Sequence, residues 1–138
     1  MPMKLTACEN FRKKRTPKRV MLDKNFAGVK AGQMLFVGTP QIVADYISAL
    51  PPGQTVTPMH MRNQLARRHR CDAMCPASTA IFLRIVAEFA IEEMQQGKSP
   101  SEVIPFWRVF QPDDRLVAKL DMDPVWIADQ RALEQGSC

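Results

Sequence analysis

Long apolar runs are absent from this sequence of 138 residues. No stretch of about 18 apolar residues occurs, which excludes a transmembrane helix. The basic N-terminal stretch is not followed by an apolar segment, so we expect no cleaved secretory signal. Cysteine is also scarce, with four residues, of which Cys8 and Cys138 lie near the chain ends. Without a signal, the sequence predicts a cytoplasmic protein with reduced thiols rather than two disulfides.

Motifs for catalysis or cofactor binding are equally scarce. No glycine-rich phosphate loop follows a predicted strand. The carboxylates at 113–114 and 121–123 lie in proline-flanked turns, where turn formation and helix capping explain them. His69, Cys71 and Cys75 are residue types that bind zinc, but a structural zinc site usually takes two close pairs of ligands, and no second pair occurs. We therefore expect neither a metal nor a cofactor.

Cys75 is the best candidate for a reactive thiol. It precedes Pro76 at a predicted helix start, and the N-terminus of a helix increases thiol reactivity. A small buried cysteine is the more common role for such a residue, and both interpretations stay open.

Positive charge is concentrated in the first 84 residues. Residues 1–84 contain 14 Lys and Arg against 4 Asp and Glu, a net charge of +10, whereas residues 85–138 contain 5 against 10, a net charge of −5. Such clustering is typical of a surface that binds a polyanion, most simply nucleic acid. A solvated tail with one basic helix face explains it equally well, and a membrane surface explains it less well because the tail lacks an apolar face. The clusters are Arg12, Lys13, Lys14, Arg15, Lys18 and Arg19, and then Arg62, Arg67, Arg68 and Arg70 with His60 and His69 between them.

The sequence divides into an arm and a domain. Residues 1–24 are basic with little apolar periodicity, and we expect a mostly disordered arm. Residues 25–138 predict one folded domain without internal repeats. Its first element is a short strand over 33–37.

Two helices are expected next. Thr39 and Pro40 combine an N-cap residue with proline at the first helical position, and Pro51 ends this helix. Thr57 and Pro58 repeat the start signal for a second helix that runs to about residue 69. This second helix is expected to bury Met61 and Leu65 and to direct its arginines mostly outward.

The third predicted helix is the longest. It begins near Pro76 and ends at Gly97, a typical C-terminal glycine. Its outer face is small and apolar apart from one arginine, which suits a partner that approaches the backbone closely, although packing within this chain explains that face as well. The predicted buried stripe comprises Ile81, Phe82, Ile85, Val86 and Phe89, and the outer face comprises Ala77, Ala80, Arg84 and Ala87.

Further elements are expected after residue 97. Ser99 and Glu102 form a capping box that opens a single helical turn. Aromatic and β-branched residues predict a strand over 105–110, with a turn at 111–114. A last helix from residue 123 to 136 is expected to bury Trp126, Ile127 and Leu133. The predicted fold class is mainly α with a short β element, arranged as a helix-turn-helix domain with a rudimentary wing.

Three ordered stretches resemble alkylguanine-DNA alkyltransferases. Residues 49–57, ALPPGQTVT, are similar to the family's isoleucine/proline-x-glycine-x-valine-threonine segment. Residues 104–109, IPFWRV, resemble its isoleucine-proline-cysteine-histidine-arginine-valine active-site strand, and residues 130–134, QRALE, resemble its closing helix. The resemblance spans about residues 40–136 and implies the C-terminal DNA-binding domain of that family. The family's separate N-terminal domain has no counterpart, as in the short alkyltransferase-like proteins.

The departures from the family pattern remove its chemistry. Phe106 stands at the position of the alkyl-accepting cysteine, and Trp107 stands at the position of the histidine that activates it. Suicidal transfer needs a thiolate made by a neighbouring base. Alkyltransferase-like proteins also replace the cysteine, with tryptophan, but they keep the histidine. Pro105, Arg108 and Val109 match the family pattern. Pro58 stands at the position of the base-rotating tyrosine, and Lys98 stands at the position of the asparagine hinge. Thr79 stands near the position of the arginine finger, and Arg84 is the arginine nearest to that position.

The leading interpretation is therefore a non-enzymatic, monomeric protein that binds double-stranded DNA and is linked to DNA repair or damage recognition. The resemblance implies that a recognition helix over about 77–90 faces the minor groove. Phe106 and Trp107 either fill the core of the lost site or line a residual base pocket. The alternatives are an alkyl or thiol transferase that uses Cys75, and an RNA-binding regulatory module. The implied DNA-binding residues are Arg62, Arg67, Arg68, Thr79, Ala80 and Arg84, with the arm 12–19 adding salt-sensitive affinity.

Overall fold

A computed structural model describes residues 6–136, which are mainly helical with one small sheet. No helix in this range is long and apolar enough to cross a membrane. The helices and strands are, in order, α1 (Ala7–Arg12), β1 (Lys18–Met21), β2 (Met34–Val37), α2 (Pro40–Ala49), α3 (Pro58–Arg68), β3 (Ala73–Met74), α4 (Pro76–Gln95) and α5 (Pro124–Gln135). Short 3₁₀ turns occur at Pro100–Glu102, Phe106–Arg108 and Val117–Lys119.

The four longer helices each begin with a proline, which fits the first turn because its missing N–H has no partner there. Three of them are also capped by a side chain: Thr39, Thr57 and Asp123 accept hydrogen bonds from the backbone two or three residues on. The predicted helix starts at these positions are confirmed. The capping box of Ser99 with Glu102 is confirmed as well, over a single 3₁₀ turn.

The sheet has the order β1-β2-β3, with the expected strand over 33–37 at its centre. β1 runs antiparallel to β2, with Lys18 opposite Val37, and β3 runs parallel to β2. Leu35 and Phe36 of β2 are buried, whereas every residue of β1 is exposed. The sheet therefore joins the arm to the domain and leaves β1 as an outer strand.

The core forms around α4, which contacts α1, α2 and the turn at Phe106–Arg108. Met61 and Leu65 of α3 are buried in it, as predicted. The side chains that are fully enclosed include Phe36, Phe106, Phe110, Ile47, Met61, Leu83, Ile127, Val43 and Val86.

The predicted strand over 105–110 is wrong, because this segment is a 3₁₀ turn at Phe106–Arg108. Phe106, Val109 and Phe110 are each at most 1% exposed. Burying residues at spacings of three and four on one side requires a helical backbone, since a strand would alternate its side chains between two faces. The expected wing at this position is therefore wrong as well.

Three predicted burial positions are also wrong. Ile81 of α4 is 59% exposed and Leu133 of α5 is 65% exposed, although both were expected in the core. Ala87, expected on the outer face of α4, is completely buried. Phe82, Ile85, Val86 and Phe89 are buried as predicted, so the inward face of α4 is rotated slightly from the predicted stripe and does not include Ile81.

The arm is ordered where the structure describes it, contrary to the expectation of disorder over 1–24. Residues 6–24 contain α1 and β1. The ring of Phe11 stacks on Phe89 of α4 at 4.4 Å, and the carboxylate of Glu92 accepts hydrogen bonds from the backbone N–H groups of Ala7 and Cys8. Tertiary contacts therefore supply the order that local periodicity did not indicate. The expectation for residues 1–5, and the thiol expected at Cys138, fall outside the described residues.

Candidate nucleic-acid interface

The two basic clusters of the sequence meet on one surface. Arg19 of β1 donates a hydrogen bond from Nη2 to the carbonyl oxygen of Arg70 at 3.1 Å, and these residues are 51 positions apart. Arg70 follows α3 with a φ of +56°, in the left-handed region that costs a non-glycine residue about 1 kcal/mol. The sheet register and this turn therefore bring β1 beside the end of α3.

Two neighbouring depressions, which share Ile42, connect the end of α3 with the cations that follow α1. A cavity of about 490 Å³ is lined by Arg12, Lys13, Lys14 and Arg15 on one side and by Ile42 of α2 on the other. Ile42 also borders a depression of about 260 Å³ that contains Arg68 and His69 of α3. We call the following nine residues the basic surface: Arg12, Lys13, Lys14, Arg15, Lys18, Arg19, Arg67, Arg68 and Arg70.

The basic surface forms no ion pairs in the part of the chain that the structure describes. Within residues 6–136, none of its nine side chains lies within 4.0 Å of a carboxylate oxygen. Asp72, two residues after Arg70, instead accepts a hydrogen bond from the backbone N–H of Met34 at 2.7 Å. Asp45 borders the same depression as Arg68 without forming an ion pair with it. The positive potential of this surface is therefore available to an external anion.

Besides Arg19, two further guanidinium groups of this surface are held in place by neutral groups. Arg15 donates from Nη1 and Nη2 to the backbone and side-chain oxygens of Asn10, at 2.8 and 2.9 Å. The guanidinium of Arg68 lies 5.3 Å from the centre of the Tyr46 ring. Burial raises the pKa of Tyr46 although the Arg68 charge lowers it, so the phenol stays neutral beneath the cation. Such positioning reduces the entropy that anion binding costs.

The predicted recognition helix, α4, offers fewer accessible and unpaired side chains for DNA binding than expected. Thr79 is 1% exposed and donates its hydroxyl to the carbonyl of Cys75 at 2.6 Å, so its assignment to DNA binding is wrong in this conformation. Ala80 is half-buried. Arg84 is exposed, but its Nε lies 2.5 Å from Oε1 of Glu88, which offsets its charge. The exposed Ile81, which sequence reasoning placed in the core, occupies this outer face.

The predicted residues of α3 are divided between two sides of the helix. Arg67 and Arg68 are exposed on the basic surface. Arg62 is half-buried and lies about 140° around the helix axis from Arg67. Arg70 is the contributor that the predicted site omitted, since only the fold reveals where it lies.

The three stretches that carry the family resemblance converge on one carboxylate. Glu134 accepts hydrogen bonds from the indole Nε1 of Trp107 at 2.8 Å, from Nη2 of Arg108 at 2.9 Å and from the backbone N–H of Gly53 at 3.1 Å. Arg108 also donates to the carbonyl of Leu50 at 2.6 Å. We call this network the Glu134 junction. Burial raises the pKa of Glu134, but the hydrogen bonds from Arg108, Trp107 and Gly53 outweigh it and hold the pKa below its ordinary value.

A cleft of about 510 Å³ borders the Glu134 junction, at the place where the family resemblance puts the active site. Trp107 and Arg108 line it, whereas Phe106 is completely buried behind them against Phe110 and Trp126. Phe106 therefore fills the core. The residues that line the cleft include no thiol and no imidazole: Ser48, Pro52, Pro100, Ser101, Val103, Pro105, Trp107, Arg108, Gln130 and Glu134.

The described cysteines and histidines do not assemble into a site. Among the described residues, no three His, Cys, Asp or Glu side chains are placed to hold a metal ion. The ring of His69 stacks on Phe36 at 4.1 Å, and Cys71 donates weakly to the carbonyl of His69 at 3.4 Å. Cys75 is 5% exposed at the start of α4, which shields its thiol from large substrates.

Comparisons with protein-family models, with curated proteins and with solved structures find no match for this chain.

Proposed function

We propose that this chain is a non-enzymatic protein of the alkyltransferase-like type that binds duplex DNA through the basic surface with little sequence preference. One observation carries the proposal: the cations at 12–15 and the end of α3 border neighbouring depressions that share Ile42, Arg19 binds the backbone of Arg70, and none of the nine cations of the basic surface has a carboxylate partner among the described residues. Like charges so gathered repel each other, and a phosphate backbone relieves that repulsion while releasing counterions.

The form of this surface favours backbone contacts over base reading. Arg and Lys contacts to phosphates position a protein on a duplex without specifying sequence. In this proposal α3 and α4 form the helix-turn-helix, and the β1–β2 hairpin replaces the wing that was expected at 105–110. Arg67 and Arg68 contact phosphates, together with Lys13, Lys14 and the other cations of the basic surface.

The Glu134 junction supports the alkyltransferase-like part of the proposal. Segments 49–57, 104–109 and 130–134 resemble one family and meet at Glu134, although they are far apart in the chain. Phe106 is enclosed in the core and Cys75 is buried, so neither residue offers an accessible nucleophile. A DNA-binding scaffold without transfer chemistry accounts for both features.

A titration of labelled duplex DNA by fluorescence anisotropy at several salt concentrations tests this function. We expect the logarithm of the association constant to fall steeply and linearly with the logarithm of salt concentration. The double variants Lys13→Ala/Lys14→Ala and Arg67→Gln/Arg68→Gln should each reduce the slope by about 2, because each loses two phosphate contacts. The control Arg115→Ala/Lys119→Ala removes two exposed cations outside the basic surface and should leave the slope unchanged.

Other results would contradict the proposal. Binding that does not depend on salt, or no binding at low salt, would refute a phosphate-binding surface. Competition by duplex RNA that equals competition by duplex DNA would instead favour the RNA-binding alternative, in which the surface reads A-form shape.

A further inference from the structure

The tip of the β1–β2 hairpin exposes an aromatic side chain. Phe26 is 48% exposed, and its backbone exchanges two hydrogen bonds of 2.8 Å with Val29. Ala27 and Gly28 between them have φ values of +50° and +84°, which form the two-residue turn whose twist matches paired strands. The tip is therefore a defined turn that presents Phe26 to the outside.

The hairpin is fixed along its length. Val29 is 6% exposed and packs with Leu35 and Cys75 in a small apolar cluster beside the sheet. The side chain of Asn25 accepts a hydrogen bond from the backbone N–H of Ala31 at 2.9 Å, across the loop. These contacts position Phe26 before any partner arrives, which lowers the entropic cost of using it for binding.

The hairpin exposes both apolar and cationic side chains. Val20 and Met21 of β1 are 41% and 60% exposed, so exposed apolar side chains occur on the strand as well as at the tip. The exposed cations on the same hairpin are Lys18, Arg19, Lys24 and Lys30, against the single carboxylate Asp23. A partner that suits both features has an anionic exterior and an apolar interior, which describes the phosphates and stacked bases of a duplex.

We propose that the β1–β2 hairpin is a wedge that inserts Phe26 between stacked base pairs of duplex DNA from the minor groove, with Lys24 and Lys30 on the flanking phosphates. This inference rests on the proposed function and extends it from charge contacts to deformation of the DNA. Apolar wedges of this kind unstack a base step and bend the duplex, and the bend allows more protein surface to contact the backbone. Arg19 belongs to both the hairpin and the basic surface, so a bend at Phe26 would turn phosphates towards that surface.

The wedge predicts a preference for flexible steps rather than for a sequence. Pyrimidine–purine steps such as TA unstack most easily, so they are the expected sites of insertion. The experiment uses a duplex with one central TA step, 2-aminopurine beside that step and a fluorophore pair at the two ends. Unstacking raises 2-aminopurine fluorescence, and bending increases energy transfer between the ends.

We expect the wild-type protein to produce both signals and Phe26→Ala to lose both. The variant should bind the duplex about tenfold more weakly, because it loses one aromatic contact with a base. Its salt slope should stay unchanged, since no charge is removed. Val125→Ala is the matched control, because Val125 is 59% exposed on α5, outside the hairpin, and its truncation should change neither signal.

The possible failures of the two proposals are distinguishable. If wild-type binding depends steeply on salt but Phe26→Ala keeps both signals and full affinity, the wedge is refuted and the phosphate-binding function stands. If the wild-type protein does not bind duplex DNA at all, both proposals fail. If the affinity for single-stranded DNA depends on Phe26 as much as the affinity for duplex DNA does, Phe26 stacks on bases without acting as a wedge. If Phe26→Ala converts a dimer to a monomer, the hairpin is a self-association surface. Either result overturns the inference.

Discussion

Glu134 shows how one side chain can organise distant parts of the chain. Its side chain is 14% exposed and its partner Arg108 is 12% exposed, so the pair is largely shielded from water. Burial by itself would favour the neutral carboxyl, but the donors of Arg108, Trp107 and Gly53 favour the carboxylate and lower its pKa. Because the pKa of Glu134 is lower in the folded than in the unfolded protein, the ionised side chain stabilises the fold at pH values above its ordinary pKa of 4.5.

Glu134→Gln should therefore change how stability depends on pH. At neutral pH the variant should lose about 2 kcal/mol of unfolding free energy, because Arg108 is left without its anion. As the pH falls through the folded pKa, the wild-type protein should lose this advantage and the two curves should converge. Urea unfolding followed by circular dichroism, from neutral pH down through the acid range, measures both quantities.

The Arg84–Glu88 pair provides the control for this measurement. Both of its side chains are exposed, at 46% and 39%, so Glu88→Gln should cost at most about 0.5 kcal/mol. Parallel curves for Glu134→Gln and the wild-type protein through the acid range would show that Glu134 does not carry this pH dependence.

At the scale of elements, α1 depends on its contacts rather than on its own sequence. A helix of 6 residues is too short to be stable alone, even with the capping box between Thr6 and Glu9. Docking supplies the remainder, through the stacking of Phe11 on Phe89 and the acceptance of two backbone N–H groups by Glu92. The basic residues that follow α1 are placed on the basic surface by this docking.

Phe11→Ala should release α1 from α4. We expect faster amide hydrogen exchange across residues 6–12 and a loss of about 2 kcal/mol of global stability, since a half-buried ring is removed. Exchange followed by mass spectrometry, with the exposed substitution Lys13→Ala as the control, measures the local effect. Equal exchange in the two variants would mean that Phe11 does not hold α1 in place.

The same scale shows what the sequence could predict. Helix starts at Thr39 and Thr57 depend on adjacent residues, and the structure confirms them. The order of α1 and the turn at Phe106–Arg108 depend on contacts with distant residues, which local patterns do not encode. The exposure of Ile81 was not predictable because α4 is apolar over most of its circumference, so several stripes fit the pattern equally well.

The sequence predicted which cations form most of the basic surface, but not how the fold brings them together. The clusters of Lys and Arg are visible in the sequence, and Arg67 and Arg68 were correctly placed on the outside of α3. That β1 lies beside the end of α3 follows from strand pairing and from the left-handed turn at Arg70, for which no local signal exists. Thr79 was assigned by alignment to a family position, and its burial shows that rough alignment does not fix a side chain's environment.

At the scale of the whole molecule, the proposed function predicts that an alkylated base would have to enter the cleft beside the Glu134 junction to be distinguished. Trp107 is 3% exposed and its indole N–H is bound to Glu134. Rotating the ring to stack on an extruded base would break the hydrogen bond between the indole N–H and the Glu134 carboxylate, at a cost of about 1–3 kcal/mol. Extrusion of the base itself costs a further few kcal/mol.

We therefore expect little preference for damaged DNA and no transfer chemistry. Paired titrations with and without one alkylguanine should differ by less than about tenfold, or roughly 1.4 kcal/mol. Mass spectrometry after incubation with methylated duplex should show an unmodified chain, because Phe106 and Trp107 stand where the family resemblance puts the nucleophile and its base. A hundredfold preference would indicate that the cleft accepts a base, and a methyl group on Cys75 would support the transferase alternative.

The contact between Arg19 and Arg70 also has a consequence for the order of folding. It closes a loop of 51 residues, and the contact of Ala7 with Glu92 closes one of 85. Closing a long loop costs entropy before its contacts reward it, so we expect these contacts to form after the local helices and hairpin are in place. During synthesis the cations of the arm emerge well before α4 exists to receive them. We therefore expect the basic surface to be complete only late in folding, and the same charges to form a flexible polycation without a defined geometry until then.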